Sequence, residues 1–520
     1  MKKKYIIIIS IVALLIISLI LFSSNRKSMA LPASLRNLKV PEGAVAGDMI
    51  SMGAFNYYGL ESDAFSLIVQ ENRNNSQSRL IAIPVIRIKA EDSPVEPIFH
   101  LDGGPGMTNM RFNKFGKIIL NHDIVLVGYR GADGSVILQA NNAVISLKEA
   151  VKTDLLSEES LEAFKEAVQL DFQYMNSIGI DLNGYNMVEV VDDLELVRKA
   201  LGYNKINLMS ESYGTRLAQI YGIRYGQHIK RSVMIGVNPP GHFLFSPDAT
   251  DDIIRYYSSL YKGEENLEKT FKRVISDIPD KWLWFSLNKD SVKSALFLTL
   301  FHTEGGLNSA MAFEAVIAAG KGDYSGLAFL SLMGKLVFPR ASIWGDLFSK
   351  AVTADGDLIY DYRNQFTPDD ALLGAPISKL HWSAGESWAL PLIDQQYRTQ
   401  QFSDVETLLI SGNVDVSTPA VFARTELLPY LKNGEELVLS DYGHTQDFYT
   451  KQPEATEELL SAYFTNGSIK GDLFEHIPFS FETKTTFGGI MKIISVAFIL
   501  IPILLTILLL FLVNRIRKKK

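Results

Sequence analysis

Short, almost unbroken apolar runs recur along this chain, and segments of helical periodicity lie between them. The runs read "PIFHL", "DIVLVGY", "KINLMS", "RSVMIGV", "ETLLISG" and "ELVLS". Strands without polar alternation are buried on both faces, and strands that alternate with helices pair in parallel. Between two of them, "NMVEVVDDLELVRKALG" places Met187, Val190, Val191, Leu194, Val197 and Leu201 at i, i+3, i+4 and i+7 spacing, with Gly202 as the stop. The pattern predicts an α/β fold, a mostly parallel sheet covered by helices on both faces. Further upstream, "RLIAIPVIRIKA" is β-branched and alternating and follows the turn "NNSQS", so the first part of the chain also reads as β structure.

From about Phe245 to Gln400 the strand rhythm lapses. Helical stretches such as "DDIIRYYSSLY", "NLEKTFKRVISDI", "SVKSALFLTLF" and "MAFEAVIAAG" take over. An insertion of about 150 residues is too long for a loop. It predicts a helical cap over residues 245–400, dividing a core of residues 36–244 and 401–485. Neither a tandem repeat nor a low-complexity tract interrupts this span.

Both ends are apolar. Residues 5–22 follow "MKKK" and are interrupted only by Ser10 and Ser18; as a helix they span roughly 27 Å, close to a bilayer's hydrocarbon core. A cleaved signal is the rival, but the nearest small-x-small site, Ser28-Met29-Ala30, follows Arg26 and Lys27. An anchor or signal is therefore expected within residues 1–30. Residues 493–513 are mostly Ile, Leu, Val and Phe with one Pro502 and no charge, and a basic tail over residues 514–520 follows. This predicts a transmembrane helix with a cytoplasmic C-terminus, and Lys2–Lys4 put the N-terminus on the same side. One transmembrane helix at each end would leave the domain between them extracytoplasmic, with the lipid bilayer as a partner.

Composition narrows the chemistry. A net charge of −7 gives no support for a nucleic-acid binder, and the absence of cysteine excludes disulfides and thiolate-bound metals. The eight histidines are scattered without metal-site spacing, so neither a metal nor a cofactor is expected.

What remains is "NLMSESYGTR", with Ser212 between a buried-strand pattern and the helical "TRLAQIYGIRYG". This is where the G-x-S-x-G elbow of a serine hydrolase places its nucleophile. Gly214 is present; Ser210 stands at the first glycine position, where a small side chain can serve. Upstream, "HLDGGPG" follows a strand at the position of an oxyanion loop, so Gly103 or Gly104, with Tyr213, would supply the N–H donors. Downstream, Asp415 lies just past one strand and His444 just past the next, giving the order Ser…Asp…His at the carboxyl ends of the strands. Asp441 and Asp447 are poorer partners because they adjoin His444 in sequence; Asp404 precedes its strand. His100 belongs to the glycine loop, and His302 and His381 fall in the cap. The expected roles are Ser212 as nucleophile, His444 as general base and acid, and Asp415 as the group orienting the imidazole.

Taken together, "GGPG", "DIVLVGYRGADGS", "EVVDDLELVRKALGYNKINLMSESYGTRLAQIYG", "GNVDVSTP" and "YGH" resemble the α/β-hydrolases of the proline iminopeptidase and tripeptidyl aminopeptidase group. The resemblance covers the core and hardly touches the cap. Gly128 stands where the group usually carries an aspartate, and His444 is followed by Thr445 rather than a small residue. The resemblance implies a serine exopeptidase that removes residues from peptide N-termini, with cap carboxylates gripping the substrate ammonium; Glu304, Asp323 and Glu386 are candidates. An extracytoplasmic esterase or lipase using the same triad on a small ester, and a non-catalytic surface binding protein of the same fold, are the alternatives.

Overall fold

The computed structural model describes residues 33–92, 94–357 and 365–517. In chain order the strands are β1 (Met49–Tyr57), β2 (Leu60–Gln70), β3 (Leu80–Ile88), β4 (Ile98–Leu101), β5 (Ile124–Val127), β6 (Arg130–Gly131), β7 (Asp133–Ile137), β8 (Ile206–Glu211), β9 (Ile229–Ile235), β10 (Lys281–Trp282), β11 (Phe285–Ser286), β12 (Thr407–Gly412) and β13 (Gly434–Leu439). Among the described residues, nine of these make one sheet in the order β1-β2-β3-β5-β4-β8-β9-β12-β13. β1, β2, β3 and β5 pair antiparallel in succession; from β5 to β13 every pairing is parallel. This is the α/β-hydrolase architecture with a mostly parallel sheet. β1 and β2 extend it by two long antiparallel strands that the sequence patterns did not single out. The reason lies in β1, which is largely exposed along its length and so has no continuous apolar run.

The pleat sorts the apolar residues onto two faces. Phe99, Val125, Val127 and Leu208 enter one core, while Ile98, Ile124, Leu126 and Met209 enter the other. Helices α1 (Asn141–Ala150), α2 (Glu158–Ser177), α3 (Met187–Ala200) and α4 (Tyr213–Tyr225) precede the cap. In α3, Asn186 caps the N-terminus by accepting from the N–H groups of Val188 and Glu189. Met187, Val190, Val191, Leu194 and Val197 are all buried, and Gly202 follows at φ 74°.

The stretch expected to form a cap contains α5 (Pro247–Leu260), α6 (Leu267–Ser276), α7 (Lys289–Thr299), α8 (Ser309–Gly320), α9 (Ser325–Val337), α10 (Trp344–Asp355) and α11 (Pro376–Gly385), with the β10–β11 hairpin between α6 and α7. It has no separate core. Phe271, Leu296, Phe313 and Leu330 belong to the same buried cluster as Phe99 and Leu208 of the sheet.

After α12 (Pro453–Asn466) comes α13 (Phe487–Arg517). Its stretch Phe487–Leu510, 24 residues whose most apolar 18 have a mean hydropathy of 3.1, is long and apolar enough to cross a membrane. The helix begins ahead of the span predicted at residue 493, because Phe487 and Met491 are buried against the cap before the exposed apolar part starts. The apolar segment predicted within residues 1–30 lies outside the described residues, so a single terminal helix of this kind is seen where two were expected.

Candidate active site

Ser212 occupies the turn between β8 and α4 with φ 51° and ψ −121°. A side chain rarely adopts a positive φ, and at a strand-to-helix elbow this conformation lifts the hydroxyl clear of the turn. Two close approaches explain the flanking residues. A Cβ on Gly214 would fall 2.1 Å from the carbonyl oxygen of Leu101, so only glycine lets α4 start against the end of β4. Ser210 is tolerated at the other position because its hydroxyl donates to the Val233 carbonyl at 3.0 Å inside the sheet.

The histidine and the aspartate come together. His444 Nδ1 lies 2.7 Å from Asp415 Oδ2. Asp415 also accepts from the Ser417 and Thr418 N–H groups at 2.8 and 3.0 Å and from the Thr418 hydroxyl at 2.7 Å. Burial works against its ionisation, yet the imidazole and these donors hold its carboxyl below the usual range. Asp441 and Asp447 are engaged elsewhere. The former binds Tyr256, His476 and the Phe479 N–H, the latter Thr303 and Gly443.

Ser212 and His444 both border the corner after β9. The Ser212 N–H donates to the Ile235 carbonyl at 2.9 Å. The next residue, Gly236, faces the histidine: a Cβ there would lie 3.1 Å from His444 Cε1. Among the described residues no hydrogen bond joins the Ser212 hydroxyl to the imidazole. Catalytic hydrogen bonds of this kind are often long until substrate closes the site.

Gly103 packs directly on the serine. Its added Cβ would meet Ser212 Cβ at 3.2 Å and Oγ at 3.8 Å. Its N–H, however, is held by the Asp102 carboxylate at 2.8 Å. Gly103 therefore contributes space, while the Tyr213 N–H opens α4, where helix N–H groups have no intrahelical partner.

Four features of the site carry no motif. Glu211, the residue before the nucleophile, is buried and bound by Lys114 Nζ at 2.6 and 2.7 Å, Tyr449 Oη at 2.9 Å and His100 Nε2 at 3.1 Å. Burial opposes its charge, but the Lys114 ammonium and His100 hold the carboxyl well below its ordinary value. His100, Asp102 and Glu211 bring ligand atoms within 4.8 Å of one another. The ammonium already on both Glu211 oxygens competes with any metal ion there. In the cap, Asp346 accepts from the Gly106 N–H at 3.0 Å and from Lys350, whose ammonium also reaches the Arg130 carbonyl at 3.2 Å. The glycine loop is thus fastened to α10. Asp447 fastens the histidine loop to Thr303 of the cap in the same way. Finally, Asp133 explains Gly128: a Cβ at 128 would fall 2.8 Å from Asp133 Cβ, and the Asp133 carboxylate accepts from the Thr108 hydroxyl and from the Asn109 and Tyr129 N–H groups. The only sequence signal for these residues was a charge ending an apolar run, as in "NLMSE", or an Asp–Lys pair at i, i+4 in "WGDLFSK".

The candidate ammonium-binding carboxylates do not converge. Asp323 pairs with Lys492 on α13 at 2.7 Å, and Glu386 faces Lys165 at the surface. Glu304, exposed, adjoins Thr303 beside the histidine loop.

Known proteins match in two places. Residues 168–295 match the family described as alpha/beta hydrolase fold, and residues 380–473 the family described as TAP-like protein. The chain has the α/β-hydrolase fold and is similar to hydrolases of the aminopeptidase group. Within it, the serine protease Hip1 of Mycobacterium tuberculosis is 23% identical over 255 residues, 44% of this chain and 45% of that protein. The tripeptidyl aminopeptidase of Streptomyces lividans is 42% identical over 48 residues, 9% of each chain. The chain thus spans less than half the length of these relatives. Among solved structures, a thermophilic esterase from Thermogutta terrifontis is 12% identical over 77% of this chain and 98% of its own, with a TM-score of 0.36.

Proposed function

We propose that the protein is a membrane-anchored serine peptidase that cleaves residues from the N-termini of peptides. Ser212 attacks the scissile carbonyl, His444 takes its proton and returns it to the leaving amine, and Asp415 holds the imidazole and stabilises its charged form. The oxyanion rests on the Tyr213 N–H and the glycine loop, and water then releases the acyl group. The observation that carries this reading is the 2.7 Å Asp415–His444 bond beside a serine held at positive φ. The likeness to named peptidases supports a peptide rather than an ester as substrate. We read α13 as the membrane anchor, with the basic tail cytoplasmic and the catalytic domain on the other side.

The test is turnover by the purified protein of tripeptide and amino-acid arylamides with a free N-terminus. Cleavage of these, lost in S212A, supports the exopeptidase. Turnover of N-blocked peptides or p-nitrophenyl esters alone overturns that substrate class, and a fluorophosphonate that never labels Ser212 in the folded protein overturns the enzyme reading.

A further inference from the structure

The anchor helix is not joined to the catalytic domain by a free linker. Phe487 and Met491 are fully buried and Ser495 nearly so, an i, i+4, i+8 row against the cap. Phe487 stacks on Phe329 of α9 with ring centroids 5.2 Å apart. The two helices touch through glycines: a Cβ on Gly488 would fall 2.6 Å from Ser325 Oγ and 3.6 Å from the Gly326 N. From Ile493 outward the helix face turned away from the cap is exposed and apolar, so the height of the bilayer relative to the cap is fixed by this packing.

At that height the cap presents an aromatic hairpin. The β10–β11 hairpin carries Trp282, Leu283, Trp284 and Phe285 in succession, with Leu283 and Trp284 in its turn. Leu283 is 59% exposed at the tip with φ 52°, a strained turn that directs an apolar side chain outward, and Trp284 is 52% exposed. Lys335 ties the hairpin to α9 by donating to the Ser286 carbonyl and hydroxyl at 3.1 and 2.9 Å. The last turn of α9 adds exposed Leu336 and Val337 to the same surface. The hairpin also touches the anchor, with the Phe285 ring 6.1 Å from that of Phe498. Phe498 lies about 8 Å along the helix axis from the start of the exposed apolar stretch, the depth at which tryptophan and amphipathic elements settle between headgroups and acyl chains.

We propose that the hairpin Lys281–Ser286, with the end of α9, is a membrane-docking surface that inserts into the interfacial zone of the bilayer beside α13. The occupant is lipid because the apolar surface continues without a break onto a helix whose own exposed face requires hydrocarbon. The consequence is orientation: the cap is seated on the membrane, and Ser212 is held at a set distance from it. This rests on the reading of α13 as an anchor.

The chain has no cysteine, so single spin labels at L283C, I499C and F402C can be compared in the full-length protein in phosphatidylcholine nanodiscs. Phe402, 83% exposed, precedes β12 at the end of the sheet away from the catalytic loops. The expected result is an oxygen-to-nickel-chelate accessibility ratio several-fold higher at positions 283 and 499 than at 402. A ratio at 283 equal to that at 402, with 499 still in hydrocarbon, overturns the docking surface and leaves the anchor intact. Water exposure at all three overturns both. Protection of position 283 from both reagents identifies a protein contact instead and also overturns the proposal.

Discussion

Thr303 of the cap donates both its backbone N–H and its hydroxyl to one carboxylate oxygen of Asp447, at 2.8 and 2.5 Å. The same oxygen takes the Gly443 N–H at 2.8 Å, and the His444 N–H donates to the Phe301 carbonyl at 2.5 Å. The loop that carries the proposed general base is therefore built partly on the cap. D447A would leave three donors unpaired, at a cost of roughly 3 kcal/mol of stability, and would lower kcat by about tenfold to hundredfold as the imidazole shifts. T303V, which removes only the hydroxyl, should cost about 1 kcal/mol. Urea unfolding together with steady-state kinetics on an arylamide checks both; an unchanged kcat in D447A would show that the cap does not position His444.

Asp346 and Lys350 form an ion pair with neither side chain exposed. Removing one charge strands the other in the interior. D346N should lose about 3–5 kcal/mol of stability, while the double change D346L with K350M should recover most of the stability and release the Gly106 N–H, loosening the glycine loop. A double-mutant cycle in denaturant reads the first effect, and the rate of fluorophosphonate labelling reads the second.

Asp290, in the first turn of α7, accepts the Leu156 N–H at 2.8 Å. Burial, and then the neighbouring Asp154 carboxyl, push its pKa from the ordinary 3.8 up to about 7. Between those values the folded state binds more protons than the unfolded chain, so this group's contribution to stability falls as pH rises through the window and is lowest above it. D290N keeps an acceptor for Leu156 and cannot ionise. Thermal unfolding from pH 5 to 8.5 should show the variant melting above the parent at pH 8, with the gap closing towards pH 4. A gap that stays constant with pH would mean the carboxyl is already ionised in the fold.

Gly214 abuts backbone, with the Leu101 carbonyl carbon 2.7 Å and its oxygen 2.1 Å from an added Cβ. Backbone of a buried strand cannot give way cheaply. G214A should cost on the order of 3 kcal/mol and abolish labelling of Ser212, measured by chemical denaturation and by the probe. A stable, labelled G214A would mean that α4 can start elsewhere.

Much of this architecture is written in local pattern. The unbroken apolar run of β8, the i, i+3, i+4 row of α3 and the charge-free stretch of α13 specify their elements because burial periodicity is a property of neighbouring residues. The order of Ser212, Asp415 and His444 along the chain, each just past an apolar run, is legible for the same reason. The contacts that complete the site are not. Glu211 meets Lys114 across 97 positions of sequence, Thr303 meets Asp447 across 144, and Gly106 meets Asp346 across 240. Each pairs a buried charge with a partner delivered by another element, and nothing near either residue encodes the other's arrival. The need for glycine at position 128 is of this kind too, since it depends on how closely Pro84 and Asp133 crowd it. Periodicity set the layers and the order of the chemistry; which charges neutralise one another inside, and which loops the cap holds in place, was settled when distant segments packed and every buried polar group required a partner.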